Sequence, residues 1–590
     1  MFQTFKSATT PEQGPPRLAA LRAKMAEMGV DGFIVSRADA WQGEYVAPCD
    51  ERLAWLTGFT GSAGFCVVLA ERAGLFVDGR YRVQARAQVA PDFTTVDWPE
   101  TTLAVWILEH APEGSKIAYD PWLHVPRQLH ELARLEAAGH SLQAIENLID
   151  AIWEDRPTRP DGRAFSHPLE LAGETSASKR ARLGQDLAAA GDDAAIITMP
   201  DAICWLLNIR GADIPRIPIL QSFAILRADG QVSIFVEASK VAGLEIDAEI
   251  FAPDTFLAAV AALTGTVRLD PDSCPEAVRA AVTARVHEGR DPCLLPKARK
   301  NAAELEGTRA AHRRDAVAMV EFLAWLDAQP PSEVTEIGAV EALEGFRRAT
   351  NALQDISFET ISGAGPNAAL PHYRVSDETN RTLAEGELYL VDSGGQYVDG
   401  TTDITRTVAI GAPDKEARDA FTRVLQGMIA LSRLRFPRGV GGAHIDALAR
   451  AALWMAGQDF DHGTGHGVGS YLSVHEGPAR ISRASTVPLE PGMILSNEPG
   501  YYREGAFGIR IENLIVVQDA GDLAGADPRP WLDFETLTYV PIDTRLVVKE
   551  MLTKAERDWL NAYHAECAER LTGQLSERAE AWLAGATLAV

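Results

Sequence analysis

The chain has 590 residues, of which 46% are hydrophobic and 23% charged. These proportions are ordinary for globular proteins and exclude disordered, collagenous and coiled-coil chains, and the length predicts about three or four domains. With 56 basic and 82 acidic residues, the formal net charge is −26, which would repel a phosphate backbone or an anionic bilayer. We therefore expect no nucleic acid and no membrane among its partners.

The sequence also predicts a cellular compartment. Its opening residues contain no apolar run typical of a signal peptide, and no uninterrupted apolar stretch of about 18 residues predicts a membrane span. The six cysteines are widely spaced and form no CxxC pair, which favours buried free thiols in a reducing environment. We expect a cytoplasmic protein.

The first half of the chain contains a helix, a turn and a buried strand in the same order twice. The first copy has a helix over 17–28 and an apolar run at 33–35, and the second has a helix over 179–190 and a run at 195–197. This order predicts two α/β domains, either a duplicated domain or two unrelated α/β layers. A Pro-rich linker at 156–161 and a second boundary near 296–301 predict domains at 1–157, 158–300 and 301–590.

The third part is predicted to begin with one long helix over 302–327. Basic residues cluster around its start, among them Lys297 and Lys300, and we expect them to form a solvated face. Residues 386–410 predict a β-hairpin with Asp392 near the end of one strand and Asp403 in the other, so that both carboxylates come within reach of a shared ion.

Further downstream, two histidines lie in a glycine-rich segment. HGTGHGVG contains His462 and His466 and is too rich in glycine to be a helix, so this is no helical HExxH pair, and its glycines let the backbone approach a bound group. A third histidine, His475, follows in VHEGP.

Two glutamates complete the candidate set. Glu498 precedes a turn in SNEPGYY, and Glu512 lies in FGIRIENLIVV. We interpret the latter as one strand whose alternation places Arg510 and Glu512 on the same face. A carboxylate in an apolar strand is unfavourable unless it is paired or bound to a metal.

Together these segments predict a metal site that is rich in oxygen ligands and has one nitrogen ligand. Four carboxylates carry a charge of −4, which two divalent cations would balance. Such ligands favour hard to borderline ions, Mn²⁺ in the first place, with Zn²⁺ or Co²⁺ as alternatives. The candidate ligands are Asp392, Asp403, His466, Glu498 and Glu512.

These motifs resemble those of the pita-bread metallopeptidase family, and their order along the chain is similar to that of its long, three-domain Xaa-Pro aminopeptidases. The resemblance covers nearly the whole chain. It is carried by APCDERLAWLTGFTGSAG, PHYR, VDSGGQYVDGTTDITRT, HGTGHGVGSYLSVHEGP, NEPGYYREGAFGIRIEN and the tail motif DWLNAYH.

The resemblance implies a fold of the α/β and α+β classes. We expect two creatinase-like α/β N-terminal domains followed by a pita-bread catalytic domain with a C-terminal helical extension. It also implies that the five candidate ligands hold two ions, with Asp403 and Glu512 bridging them. Because all five ligand types are present, metal-free relatives of this fold are disfavoured.

The resemblance further implies roles for the residues around the metals. His372, in PHYR, and His475 are expected to donate to the substrate and the tetrahedral intermediate. Glu498 is expected to take and return a proton. His462 is assigned to the substrate pocket or to the shell behind the ligands. Tyr501 and Tyr502 are expected to wall the proline pocket, and Arg510 to support a ligating carboxylate.

The expected activity is hydrolysis of the bond between an N-terminal residue and a penultimate proline, by water activated at a dinuclear metal centre. A prolidase limited to Xaa-Pro dipeptides is the main alternative, and a non-catalytic peptide-binding protein of the same fold is a weaker one. The three-domain length and the DWLNAYH tail favour the aminopeptidase. A homodimer is expected from the family and from the apolar tail helix, whose stripe contains Trp559, Tyr563 and Cys567.

Overall fold

The computed structural model describes every residue of the chain, from Met1 to Val590. Its contacts group the chain into two compact units. One consists of Ala8–Leu294, and the other of Met1–Ser7 together with Leu295–Val590.

The first α/β sheet of Ala8–Leu294 is buried on both faces. Its strands are β1 (Gly32–Ser36), β2 (Phe65–Leu69), β3 (Ala73–Val77), β4 (Thr94–Asp97), β5 (Lys116–Tyr119) and β6 (Ser141–Ala144). Its helices are α1 (Gly14–Met28), α2 (Arg52–Thr57), α3 (Arg82–Gln88), α4 (Leu103–His110) and α5 (Pro126–Ala137). Phe33 and Val35 enter one hydrophobic cluster and Ile34 another. This is the alternation expected of a strand covered by helices on both sides.

The second α/β sheet follows along the chain. Its strands are β8 (Ala194–Ile197), β10 (Phe223–Arg227), β11 (Val232–Phe235), β12 (Glu249–Phe251), β13 (Thr266–Leu269) and β14 (Arg285–Glu288), beside a small pair of β7 (Phe165–Ser166) and β9 (Ile209–Arg210). The helices are α6 (Leu169–Ala172), α7 (Ser176–Ala190), α8 (Pro200–Leu207), α9 (Phe256–Ala261), α10 (Glu276–Ala281) and α11 (Leu294–Ala298).

The two sheets match strand for strand. Their orders are β4-β3-β2-β1-β5-β6 and β12-β11-β10-β8-β13-β14. Corresponding pairs also run in the same direction, since β1 is antiparallel to β2 and parallel to β5, while β8 is antiparallel to β10 and parallel to β13. The two predicted α/β domains are confirmed, and their common topology favours duplication over two unrelated layers. The boundaries at 157/158 and 300/301 stay a prediction.

The second unit combines helices with short antiparallel sheets. Its helices are α12 (Ala302–Asp327), α13 (Glu336–Ala349), α14 (Lys415–Ser432), α15 (Gly442–Trp454), α16 (Lys554–Leu571) and α17 (Glu577–Ala586). The long helix predicted over 302–327 is α12, and Asn301 with Glu304 forms its N-terminal capping box.

The strands of this unit carry the candidate ligands. They are β15 (Asp355–Ile356), β16 (Ile361–Ala364), β17 (Leu388–Ser393), β18 (Gly395–Tyr397), β19 (Gly400–Thr401), β20 (Ile404–Ala409), β21 (Phe436–Pro437), β22 (Gly465–Gly467), β23 (Glu476–Ile481), β24 (Ile494–Asn497), β25 (Gly500–Arg503), β26 (Phe507–Arg510), β27 (Asn513–Asp519) and β28 (Trp531–Thr536). The central sheets have the orders β16-β17-β20 and β21-β28-β27-β24-β22-β23.

Two expectations about this unit are wrong. FGIRIENLIVV is not one strand, because β26 pairs with β25 whereas β27 pairs with β24 and β28, and the chain changes sheets at Ile511 and Glu512. Lys297 and Lys300 are not solvated either. Both are buried and form ion pairs with the buried Glu476.

The apolar stripe of the tail helix is part of the core of its own unit. Tyr563 and Cys567 of α16 are 4% and 0% exposed and belong to the cluster that contains Phe421 and Val424 of α14. The stripe therefore gives no support to a subunit contact. All six cysteines are buried and none forms a disulfide, as expected. No helix of the structure is both long enough and apolar enough to span a bilayer.

The contact between α14 and α15 yields a prediction about stability. A Cβ on Gly427 would lie 2.0 Å from the main-chain oxygen of Ala449, whereas a Cβ on Gly345, in α13, would meet nothing within 4 Å. We expect Gly427→Ala to destabilise the protein by about 1–3 kcal/mol through overpacking. Gly345→Ala should stabilise it by about 0.5–1 kcal/mol, because alanine is the better helix former. Thermal unfolding midpoints measure both, and a Gly427→Ala midpoint at or above wild type would contradict the packing.

Candidate metal centre

Strand ends bring the five candidate ligands to one place. Asp392 lies near the end of β17 and is paired with Thr405 of β20. Asp403 immediately precedes β20, and Glu498 immediately follows β24. His466 is the middle residue of β22, and Glu512 lies where the chain passes from β26 to β27. The change of sheets at Glu512 therefore carries a functional side chain.

Distances between side-chain atoms define a site large enough for a cation. One ligand atom each from Asp403, His466 and Glu512 lie within 4.8 Å of one another. His466 Nε2 lies 3.5 Å from Asp403 Oδ2 and 3.5 Å from Glu498 Oε1. His466 Nδ1 donates to the main-chain oxygen of Gly467 at 3.0 Å. In the neutral ring this bond leaves the lone pair of Nε2 facing the carboxylates, as a metal ligand requires.

The buried acids have unused ligand atoms. Asp392 Oδ1 and Glu512 Oε1 are buried and have no hydrogen-bond partner. Burial, together with repulsion from Asp392 and Glu498, raises the pKa of Asp403 well above its usual range. The pKa of Glu512 is raised in the same way by burial and by Asp403. Unpaired buried carboxylate oxygens are unfavourable, and a divalent cation would satisfy them, so these residues fit a metal.

Arg510 and Thr405 support the carboxylates from behind. Arg510 Nη2 donates to Asp392 Oδ2 at 2.6 Å, and Arg510 Nε donates to Thr405 Oγ1 at 3.1 Å. Thr405 Oγ1 in turn donates to Glu512 Oε2 at 2.7 Å. One oxygen of Asp392 and one of Glu512 are thus held by the protein, and the other oxygen of each remains available to a cation.

A tyrosine connects Arg510 to His462. Arg510 Nη1 donates to Tyr502 OH, which lies 2.9 Å from His462 Nε2. His462 Nδ1 donates to the main-chain oxygen of Gly463 at 2.7 Å, so in the neutral ring Nε2 accepts the tyrosine proton. Tyr501 lies elsewhere, with its ring centre 6.2 Å from that of Phe507 and its side chain against the hydrophobic core. The structure thus brings Tyr502, rather than Tyr501, into the network around the ligands.

The two remaining candidate histidines lie on different segments. His475 immediately precedes β23, and its ring centre is 4.3 Å from that of His466. His372 follows the short 3-10 helix Gly365–Ala369. This segment packs closely on β26, since a Cβ on Gly508 would lie 1.7 Å from the main-chain oxygen of Ala368. The next residue, Tyr373, donates a hydrogen bond from its OH to Oε2 of the fully buried Glu336 at 3.1 Å.

Sequence reasoning missed Thr405, and it assigned Tyr502 only to the wall of the proline pocket, together with Tyr501. Thr405 is two residues from Asp403, so the period-two rule for strands would have placed both on one face. Tyr502 could not be separated from Tyr501 without knowing which face of β25 meets Arg510. Glu476 was missed as well, because its lysine partners are far away in sequence.

Comparisons with known proteins agree with this geometry. Metallopeptidase family M24 matches residues 306–519, and the C-terminal region of that family matches 530–590. The creatinase/prolidase N-terminal domain matches twice, at 17–152 and 155–304. Aminopeptidase P2 of Arabidopsis thaliana is 38% identical over 624 residues, covering 96% of this chain and 87% of the plant protein. The chain belongs to the aminopeptidase P group of the M24 metallopeptidase family.

Other M24 proteins extend the comparison. The probable Xaa-Pro aminopeptidase P of Coccidioides posadasii is 38% identical and covers 96% of this chain and 92% of its own. A crystal structure of X-prolyl aminopeptidase from Caenorhabditis elegans, described as a cytosolic enzyme with a di-nuclear active site, matches with a TM-score of 0.91, 34% identity and coverage of 98% and 99%. The prolidase from Pyrococcus horikoshii covers only 62% of this chain, at 21% identity and a TM-score of 0.50, and shares its fold. The expected architecture of two creatinase-like domains and an M24 catalytic domain is confirmed.

The raised pKa values of Asp403 and Glu512 predict how pH affects the cation-free protein. The unfolded chain loses these protons at about pH 4, whereas the folded chain keeps them to higher pH. The folded state therefore binds more protons in this window, and its stability falls as the pH rises through it. We expect the gain in unfolding midpoint on adding Mn²⁺ to chelator-treated protein to be larger at pH 8 than at pH 5.

The control for this experiment is Asp403→Asn, which removes one of the two acids. In that variant the gain should depend less on pH than in the wild type. A gain that is equal at both pH values in the wild type would contradict the electrostatic account.

Proposed function

We propose that the chain is a dinuclear, metal-dependent aminopeptidase that hydrolyses the bond between an N-terminal residue and a penultimate proline. The observation that carries this proposal is the site itself. Asp403 and Glu498 each lie 3.5 Å from His466 Nε2, Glu512 lies within 4.8 Å of the same cluster, and the hydrogen bond of Nδ1 leaves the lone pair of Nε2 facing these carboxylates. Relatives named Xaa-Pro aminopeptidase that align with nearly the whole chain support the choice of substrate.

The residues that would hold two ions are Asp392, Asp403, His466, Glu498 and Glu512. Two divalent cations there would supply Lewis acidity for the scissile carbonyl and would lower the pKa of a water. We propose Mn²⁺, because the donor set is mainly carboxylate with one imidazole, while Zn²⁺ and Co²⁺ suit the same donors less selectively.

The other proposed roles follow from exposure and hydrogen bonding. Asp392, Asp403 and Glu512 are buried, whereas His466 and Glu498 keep 17% of their side-chain surface exposed, so the substrate would approach from their side. Glu498 would accept the proton of the attacking water and pass it to the leaving proline nitrogen, which has no hydrogen in the peptide.

We propose that histidines stabilise the substrate. His475, beside His466, and His372 would donate to the carbonyl oxygen as negative charge develops there. His462 is held by Tyr502 at 2.9 Å and would line the pocket of the substrate. Tyr501, set against the core, would contribute only the wall of the proline pocket.

A substrate series tests the activity. The protein is stripped of metal with a chelator and reloaded with Mn²⁺, Zn²⁺ or Co²⁺. Hydrolysis of Xaa-Pro-Xaa tripeptides is then compared with that of Xaa-Pro dipeptides and of Xaa-Ala-Xaa tripeptides. We expect the chelator to abolish activity, Mn²⁺ to restore it best, and the tripeptide with penultimate proline to be cleaved fastest.

Each alternative has its own outcome in this series. Cleavage of dipeptides without tripeptides would indicate a prolidase, and metal binding without cleavage would indicate a peptide-binding protein. As a control, Glu498→Gln should lower kcat by at least about a hundredfold if it transfers the proton. A kcat near that of the wild type would remove Glu498 from that role.

We also propose a cytoplasmic homodimer. The compartment is supported by the description of the Caenorhabditis elegans neighbour as cytosolic. The dimer is supported by exposed apolar side chains in and directly after α15, where Leu448, Trp454 and Met455 are 40%, 45% and 89% exposed. Sedimentation equilibrium should give twice the chain mass for the wild type and a smaller mass for Trp454→Glu. A wild type that sediments as a single chain would contradict the dimer.

A further inference from the structure

Arg406 is a buried cation whose partners are uncharged oxygens. The residue lies in β20 and is 1% exposed. Its Nε donates to the main-chain oxygen of Pro541 at 3.1 Å. Its terminal nitrogens donate to the main-chain oxygens of Thr405 (2.9 Å), Glu512 (2.7 Å) and Val540 (2.7 Å), to Asn513 Oδ1 (2.8 Å) and to Tyr563 OH (2.9 Å). A cation removed from water in this way must find its acceptors within the protein, and these six oxygens serve its five N–H groups.

Two of these oxygens belong to residues of the metal centre. Arg406 Nη1 holds the main chains of Thr405 and Glu512. The side chains of the same two residues are bonded to each other, since Thr405 Oγ1 donates to Glu512 Oε2 at 2.7 Å. Arg406 thus adds a second link between two main chains that are already joined by the bond from Glu512 N to Thr405 O at 3.2 Å, next to the Glu512 carboxylate.

On its other side, the guanidinium of Arg406 contacts the tail helix α16. Tyr563, in α16, accepts from Arg406 Nη2, and its OH lies 2.8 Å from the main-chain oxygen of Val540 and 3.0 Å from that of Thr538. Tyr563 also accepts from the main-chain nitrogen of Val540 at 3.3 Å. Its ring is stacked on Trp559 with 5.2 Å between ring centres, which fixes the hydroxyl.

We propose that Arg406 and Tyr563 are positioning residues for the metal ligand Glu512, so that the C-terminal helix completes the metal centre without touching it. This inference rests on the proposed function, because it assumes that Glu512 binds a metal. It assigns a role to the tyrosine of the DWLNAYH motif, which the proposed mechanism does not otherwise use.

The physical argument concerns how the guanidinium is held. Its five N–H groups have six acceptor oxygens, and the two N–H groups of Nη2 are shared among Asn513 Oδ1, Val540 O and Tyr563 OH. Without the tyrosine oxygen each N–H group still has an acceptor, but the bond that ties Arg406 to α16 is lost, and so is the bond from the main-chain nitrogen of Val540 to that oxygen. We expect the guanidinium to shift toward its remaining acceptors, and its bonds to Thr405 and Glu512 to shift with it. Residues that hold metal ligands from behind alter metal affinity by about 10-fold to 100-fold when changed.

The test compares two deletions of a single buried hydroxyl in the full-length chain. Tyr563→Phe removes the oxygen that meets Arg406. Tyr539→Phe, the matched control, removes a hydroxyl that donates to the main-chain oxygen of Thr536 at 2.6 Å. Each metal-free protein is titrated with Mn²⁺ in a calorimeter, and its thermal unfolding midpoint is measured. We expect Tyr563→Phe to weaken Mn²⁺ binding by about tenfold, while Tyr539→Phe binds Mn²⁺ as the wild type does.

A second pair of variants covers the case in which Tyr563→Phe does not fold. Arg406→Lys keeps the charge with fewer donors, and Arg406→Gln removes the charge. The Mn²⁺ affinity is expected to decrease in the order wild type, Lys, Gln, so that the conservative variant rescues binding in part. A purely structural role would lower the unfolding midpoint and leave the Mn²⁺ affinity unchanged.

Two results would overturn the inference. Equal Mn²⁺ affinities in Tyr563→Phe and Tyr539→Phe, or wild-type affinity in Arg406→Lys, would remove the positioning role while the wild type still binds metal and cleaves peptides. If the wild type itself binds no Mn²⁺, the proposed function fails first, and the inference fails with it.

Discussion

The repulsion among four carboxylates that meet at one point is the constraint on which the catalytic unit depends. Asp392, Asp403 and Glu512 are buried, and two of them have a carboxylate oxygen with no partner. Positive charge near the carboxylates reduces this repulsion. Arg510 neutralises part of the charge from within the site, and the remaining charge requires cations. The same arrangement that makes the cation-free site unstable makes it select divalent ions.

Holding like charges together requires strands that approach closely, and glycine allows this. A Cβ on Gly465 would lie 2.0 Å from the main-chain oxygen of Ser496, so β22 could not lie beside β24 with any other residue there. Beside Gly465, the main-chain nitrogen of His466 donates to Ser496 Oγ at 2.9 Å. Gly394, which directly follows β17, allows a similar close approach, because a Cβ there would lie 1.9 Å from the main-chain oxygen of Thr402. The glycines of the two motifs therefore set the spacing of the ligands.

Much of this could be predicted from the sequence, since the information is local. The long helix, the repeated α/β unit and the hairpin of Asp392 and Asp403 follow from periodicity and turn residues within short windows. The change of sheets at Glu512 could not be predicted, because Ile511 continues the strand pattern and only the pairing of β26 with β25 and of β27 with β24 ends it. The burial of Lys297 and Lys300 could not be predicted from the sequence either. Lysines near a helix full of acids are usually solvated, and only Glu476, far along the chain, makes burial tolerable.

The motifs of the N-terminal half serve folding rather than chemistry. In APCDERLAWLTGFTGSAG, Arg52 forms ion pairs with Asp50 and Asp150, and all three side chains are buried or half-buried. Gly58 ends α2 with a φ of 87°, a left-handed conformation that other residues adopt only with strain. These structural requirements restrict the sequence as strictly as a metal site does, because the loss of one partner of a buried ion pair strongly destabilises the fold. A long motif is therefore no evidence of catalysis by itself, and what distinguishes the C-terminal motifs is that Asp392 and Glu512 each keep one buried carboxylate oxygen without a partner within the protein.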